Sequence, residues 1–271
     1  MSSVIVVPAR YGSTRFPGKP LALLGGESLL ARTARNAQLA AAQIEDAVAI
    51  VATDDDRIFD HCTALNMECV MTPSELPSGS DRALHAANIY KNKYGKAFDI
   101  IVNLQGDAPF TPPEHVKSVI LALKSNSNLD VATPYIKLSW SDLDQFRDYK
   151  TTTPFSGTTV VTKHNGEALW FSKNIIPAIR NEAILRYESD LSPVCRHIGL
   201  YAYRTPALEK FVSLPEGHWE KLEGLEQLRC LENDMAIGCV EVEPADIAIS
   251  GIDTPEDLAR AENLLAKANI R

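Results

Sequence analysis

Short apolar runs rich in β-branched residues recur through the first hundred positions, with almost no polar alternation. Residues 4–7 (Val-Ile-Val-Val), 47–52 and 100–104 are of this kind. A strand with one wet face alternates apolar and polar residues, whereas a continuous short apolar run fits a strand covered on both faces. Between the runs lie segments that read as helices, at residues 29–42, 58–65 and 81–94. Buried strands separated by helices predict an α/β fold with a mostly parallel, doubly wound, Rossmann-like sheet flanked by helices. Ligands of such sheets bind outside the carboxyl ends of the strands. The segments that follow the three runs, residues 8–19, 53–56 and 105–109, are therefore predicted to share one face.

The second half is more mixed. Residues 158–163, 168–172 and 198–203 read as strands, in part alternating, with irregular segments at 151–157 and 174–194. Near the end, Thr254 suits an N-cap, Pro255 the first helical position and Asp257 the third, which opens a final helix. The chain has no internal repeat, low-complexity segment or obvious linker. It reads as one domain over residues 1–271, with a mixed β sub-region around 135–200.

Composition narrows the class. The chain has 271 residues, 45% of them hydrophobic and 23% charged, enough for a substantial core. A net charge of −8 argues against a surface that coats nucleic acid, and an anionic substrate then requires Arg and Lys to cluster locally. Five cysteines without a C-x-x-C pair suit reduced thiols rather than a disulfide framework or a zinc site. The N-terminus carries no basic segment, and the run at 4–7 is far too short to be a signal or a membrane span. The expected setting is the cytoplasm, with neither membrane nor nucleic acid as partner.

The first candidate chemistry follows the first strand. Pro8-Ala9-Arg10-Tyr11-Gly12-Ser13-Thr14-Arg15-Phe16-Pro17-Gly18-Lys19 holds two Arg and a Lys among glycines that let the backbone turn. Arg forks and a Lys point charge suit a polyphosphate. The spacing is not that of a Walker A loop, and Pro20 stands where Ser or Thr would hold magnesium. A solvated basic loop is the plainer alternative. Asp107 and Asp253 are candidate metal carboxylates, although Asp253 also suits a helix start. Asp54-Asp55-Asp56 reads as a cap for the helix that follows. Ser80 is placed to cap the helix at 81–94, with Asp81 and Arg82 as a surface pair. His197 and Tyr201, four apart, would share one face of a strand. Core packing would look the same, and Glu226 and Gln227 read alone as solvated helix residues.

The order of these segments resembles the CMP-Kdo synthetase (3-deoxy-manno-octulosonate cytidylyltransferase) family, within the glycosyltransferase-A-like nucleotidyltransferases. The resemblance rests on Pro-Ala-Arg-x-x-Ser-x-Arg-x-Pro-x-Lys at 8–19, Ser78-Gly79-Ser80-Asp81-Arg82, Asn103-Leu104-Gln105-Gly106-Asp107, Arg196-His197-Ile198-Gly199-Leu200-Tyr201, Leu225-Glu226-Gln227-Leu228-Arg229 and Asp253-Thr254-Pro255-Glu256-Asp257-Leu258. It implies transfer of CMP from CTP to 3-deoxy-D-manno-octulosonate (Kdo) for lipopolysaccharide or capsule, and a homodimer. It implies Mg2+ on Asp107 and Asp253. Nucleotide contacts would come from Pro8, Ala9, Arg10, Arg15, Lys19, Ser80, Asp81, Arg82 and Gln105. Sugar contacts would come from Gln105, Arg180, His197, Tyr201, Glu226 and Gln227. The chain departs from the family pattern at Ala108, where Glu is common, at Lys173, where Arg is usual, and across 154–161, which lacks the usual Pro-Asn-Val-Val-Lys-Val-Val. Three rivals follow. One is the same reaction on 8-amino-8-deoxy-Kdo. Another is a glycosyltransferase, for which Gln105-Gly106-Asp107 lacks the usual Asp-x-Asp. The third is a non-catalytic nucleotide-sugar sensor.

Overall fold

The computed structural model describes residues 1–12, 15–245 and 251–268. The first apolar run forms β1 (Ser3–Ala9). Its side chains alternate between two cores, Val4 and Val6 entering one and Ile5, Val7 and Ala9 the other, so both faces are covered. A 3-10 turn at Lys19–Leu21 and a small ribbon, β2 (Leu23–Leu24) and β3 (Glu27–Ser28), lead to α1 (Leu29–Ala42), which Ser28 caps. Then come β4 (Ala47–Thr53), α2 (Asp56–Ala64), β5 (Cys69–Met71), α3 (Gly79–Tyr94), β6 (Ile100–Leu104) and α4 (Pro113–Ser125). Strands β5, β4, β1 and β6 are neighbours in that order and all parallel. Helices α1, α2 and α4 cover one face through Leu30, Ile58 and Val116, while α3 covers the other through Ala83 and Ala86. The doubly wound arrangement expected from the sequence is present in this half.

The chain continues through β7 (Val131–Ser139), α5 (Trp140–Thr152), β8 (Thr158–Thr162), β9 (Ala168–Ser172), α6 (Glu182–Glu188), β10 (Leu191–His197) and β11 (Leu200–Arg204). It then forms α7 (Thr205–Ser213), α8 (His218–Glu223), α9 (Gln227–Glu232), β12 (Ile237–Glu241) and α10 (Pro255–Ala268). These strands extend the same sheet in the order β6-β11-β7-β10-β8-β9, now antiparallel, with β12 parallel on the other edge of β7. Strands β10 and β11 run along one edge of β7 as a single interrupted strand. His197 faces Tyr135 and Ala202 faces Ala132, five steps against three, so two extra residues bulge out between them.

Two expectations need correction here. The segments 151–157 and 174–194 are not irregular throughout, because α5 reaches Thr152 and the second segment holds α6 and most of β10. Helix α6 buries no residue. It is held by Arg147–Glu182 at 2.8 Å and Arg186–Asp144 at 2.6 Å, so no apolar period reveals it. Of residues 247–252, which lead to Asp253, only Gly251 and buried Ile252 are among the described residues. The final helix starts as read: Thr254 Oγ1 accepts from the Asp257 amide at 3.2 Å, and Asp257 Oδ2 accepts from the Thr254 amide at 3.1 Å. Among the described residues no helix is long and apolar enough to cross a membrane.

Candidate active site

The loops after β1, β4 and β6 do meet at one edge of the sheet. Closest is the approach of Gly106 to Pro8: a Cβ at position 106 would lie 2.5 Å from the Pro8 carbonyl oxygen, so only glycine fits. Asp107 follows at once. Its carbonyl accepts from the Ile252 amide at 2.9 Å, which brings the strand-to-helix segment carrying Asp253 alongside. Lys19 closes the group, its Nζ 2.6 Å from Asp107 Oδ2 and 3.1 Å from Asp253 Oδ1. Arg15 reaches Asp253 at 3.3 Å. Burial works against the charge of Lys19, but the two carboxylates outweigh it and hold its pKa above the ordinary lysine value.

The basic loop is braced from below. Gly18 has φ +72°, a left-handed conformation that favours glycine, and a Cβ there would press on the Tyr11 ring at 3.1 Å. The Arg57 guanidinium stacks 3.3 Å from the centre of that ring and pairs with Asp55 at 2.7 Å. Asp55 is thus the cap of α2, accepting from the Arg57 amide at 3.0 Å. Asp54 instead faces two arginines, Arg82 at 2.9 Å and Arg10 at 3.9 Å. Arg82 is buried and also donates to the Thr72 hydroxyl, and burial lowers its pKa. Any part it takes in nucleotide binding therefore runs through Asp54 and Arg10. Ala9 is buried as well, and Pro8 presents its carbonyl to Gly106.

Helix α3 starts differently from the sequence reading. Its cap is Ser78 rather than Ser80: Ser78 Oγ accepts from the Asp81 amide at 3.2 Å, and its hydroxyl donates to Asp81 Oδ2 at 2.5 Å. Asp81 is thereby the partner of the cap. Ser80 turns inward, fully buried, and donates to Glu226 Oε1 at 3.3 Å. Gly79 faces Gln105, whose amide nitrogen would lie 3.3 Å from a Cβ at position 79.

His197 and Tyr201 are brought together, with ring centres 5.5 Å apart, but they sit on β10 and β11 on either side of the bulge. His197 Nε2 lies 2.8 Å from Thr133 Oγ1, whose own proton goes to the Leu200 carbonyl at 2.8 Å. This network assigns the ring proton to Nε2 and leaves Nδ1 as an acceptor. Burial, and then the nearby Lys173 ammonium, push the His197 pKa down to about 3, so the ring is neutral at pH 7. Burial raises the Tyr201 phenol and the Glu226 carboxyl above their ordinary values. Gln227 is buried, and its side-chain nitrogen has no partner among the described residues. Arg180 is exposed, and no contact joins it to this group in the described structure. At the departures from the family pattern, Ala108 is buried and the Lys173 amide donates to Glu223 at 2.8 Å. The ammonium of Lys150 ties the 154–157 loop to β9, bonding to the carbonyls of Ser156 at 2.7 Å and Lys173 at 2.5 Å. Sequence reasoning gave no role to Thr133, Asn103 or Tyr203. Asn103 had a signal, as the polar residue inside an apolar run; Thr133 lies in a strand the sequence reading did not identify.

Two carboxylates that converge on one cation form a hard, all-oxygen donor pair. No third His, Cys, Asp or Glu among the described residues completes a metal group with them. That suits Mg2+, which is usually held by one or two carboxylates with phosphate oxygens and water completing its shell.

A basic loop at a strand end, facing paired carboxylates, defines a nucleotidyltransferase site. The chain belongs to the cytidylyltransferase family, whose model matches residues 4–237. Among its relatives, the 3-deoxy-manno-octulosonate cytidylyltransferase of Maricaulis maris is 41% identical over 98% of both chains. That of Chloroherpeton thalassium is 39% identical over 98% of this chain and 99% of its own. A solved CMP:2-keto-3-deoxy-manno-octonic acid synthetase complexed with CTP superposes with a TM-score of 0.79 at 32% identity, covering 98% of this chain and 99% of its own.

Proposed function

We propose that this protein transfers the cytidylyl group of CTP to 3-deoxy-D-manno-octulosonate, forming CMP-3-deoxy-D-manno-octulosonate and pyrophosphate. The observation that carries the reading is the meeting of Lys19, Asp107 and Asp253 at the strand ends, in a chain that matches 3-deoxy-manno-octulosonate cytidylyltransferases over 98% of its length. The 2-hydroxyl of the sugar attacks the α-phosphorus as the bond to pyrophosphate breaks in line. Arg10, Arg15 and Lys19 hold the phosphates, and catalysis rests on positioning and charge stabilisation. Asp107 and Asp253 would hold Mg2+, which when bound would neutralise phosphate charge and make the attacking hydroxyl more acidic.

On the sugar side, His197 Nδ1 accepts from a hydroxyl, with Gln105, Tyr201, Glu226 and Gln227 around it and Arg180 at the rim. The 135–200 sub-region serves sugar binding and pairing into a homodimer. The enzyme works in the cytoplasm and feeds lipopolysaccharide or capsule synthesis. The test is pyrophosphate release from CTP and from UTP across a panel of sugar acids. Release is expected with CTP and Kdo. Preference for 8-amino-8-deoxy-Kdo, or equal use of UTP, would overturn the substrate assignment; CTP binding without any release would overturn catalysis.

A further inference from the structure

Four elements meet on one buried hydroxyl. Ser80, in the first turn of α3, accepts from Asn103 Nδ2 of β6 at 3.3 Å and donates to Glu226 Oε1, just ahead of α9, at 3.3 Å. The Tyr203 hydroxyl of β11 lies beside it. Two buried polar atoms at this point, Asn103 Oδ1 and Tyr203 Oη, have no hydrogen-bond partner among the described residues. Buried polar groups are nearly always hydrogen-bonded, so two unpaired atoms together mark a place that packing alone does not explain.

Ser80 has no exposed surface with which to touch a ligand. It nevertheless directly follows Gly79, which faces Gln105, a nucleotide contact in the proposed reading. A serine hydroxyl carries one proton, and here it points to the Glu226 carboxylate. Any shift of the α3 start is therefore felt at Glu226.

We propose that Ser80 is a positioning residue that couples the two sides of the site: a nucleotide packed against the start of α3 fixes the Glu226 carboxylate through the Ser80 hydroxyl. The proposal rests on the cytidylyltransferase reading above. Because coupling between two binding sites is reciprocal, CTP raises the affinity for the sugar acid by the same factor as the sugar raises that for CTP.

The experiment uses the full chain, with CTP binding followed by calorimetry and amide hydrogen exchange followed over residues 225–230. In the wild type, CTP slows exchange there. Ser80→Ala is expected to bind CTP within about twofold of wild type, to lose the CTP-induced protection, and to raise the KM for Kdo about tenfold with little change in kcat, as for one lost hydrogen bond. Glu226→Gln retains an acceptor oxygen and keeps the protection. Ser80→Thr retains the hydroxyl and restores the coupling, which separates lost coupling from a damaged fold. Undiminished protection in Ser80→Ala, or a loss confined to CTP affinity, overturns the proposal. Wild-type CTP binding without protection at 225–230 overturns the coupling while leaving the transfer reaction standing. Protection without pyrophosphate release does the reverse.

Discussion

The proposed phosphate side and the proposed sugar side are assembled in opposite ways. On the phosphate side, charges from distant segments neutralise one another at a sheet edge, as Lys19 does with Asp107 and Asp253. These groups keep water contact, and the two carboxylates raise the pKa of Lys19. On the sugar side, polar groups sink into the interior: burial holds His197 neutral and raises the pKa of Glu226 and Tyr201. In the proposed reaction the triphosphate meets charge near water, while the sugar hydroxyls meet hydrogen-bonding groups set in a dry wall. The contrast follows from the relative cost of burying an ion and burying a hydrogen-bonded neutral group.

The largest expected effect lies on the phosphate side. Asp107→Asn should lower kcat by roughly three orders of magnitude, since several kcal/mol of charge stabilisation depend on that carboxylate. Circular dichroism should stay unchanged. Near-normal turnover would remove Asp107 from the catalytic group.

The second test follows how the sugar side responds to pH. In the unfolded chain the His197 ring takes up a proton near 6.5, and in the fold only near 3. Between those values the unfolded state binds the extra proton. The stability contributed by the neutral ring is thus complete above about pH 6.5 and falls as pH drops towards 3, by up to about 1.4 kcal/mol per unit. His197→Gln removes this titration, so urea melts from pH 6.5 to 4.5 should show a shallower decline than wild type. Parallel curves would mean the ring is not held neutral.

A smaller effect is expected at the border of the sub-region. Lys150→Met keeps the apolar stem near Phe146, whose ring centre lies 4.9 Å from the ammonium, but removes the bonds to the loop carbonyls. Stability should fall by about 1–2 kcal/mol. The KM for the sugar acid should rise while that for CTP stays put. Equal changes in both would show that the loop does not belong to the sugar side.

The same contrast decides what was legible in the sequence. The phosphate side could be read because its strands are buried on both faces and its loops follow them directly. Residues 100–104, for example, announced both β6 and the place of Asp107. The sugar side depends on pairings between distant strands that leave no local period. His197 and Tyr201 were grouped by their spacing, but for a strand that the bulge at Ile198 and Gly199 divides. Ser80 was read as a cap because caps are recognised by residue type, and Ser78 is equally suited; only the fold shows which of them turns inward.

The interrupted strand β10–β11 has a mechanical consequence. Its first part pairs with β8 and its second with β6, while both lie along β7. The two sides of the site are thus joined by continuous backbone ladders rather than by a flexible connection. Rotation of one half against the other as a rigid body would have to break those ladders, whereas hinges normally use loops or element ends. Opening and closing for substrate traffic is then left to loops and to gentle twisting of the sheet, and the distance between the two substrate sides is set in advance by the register of the strands.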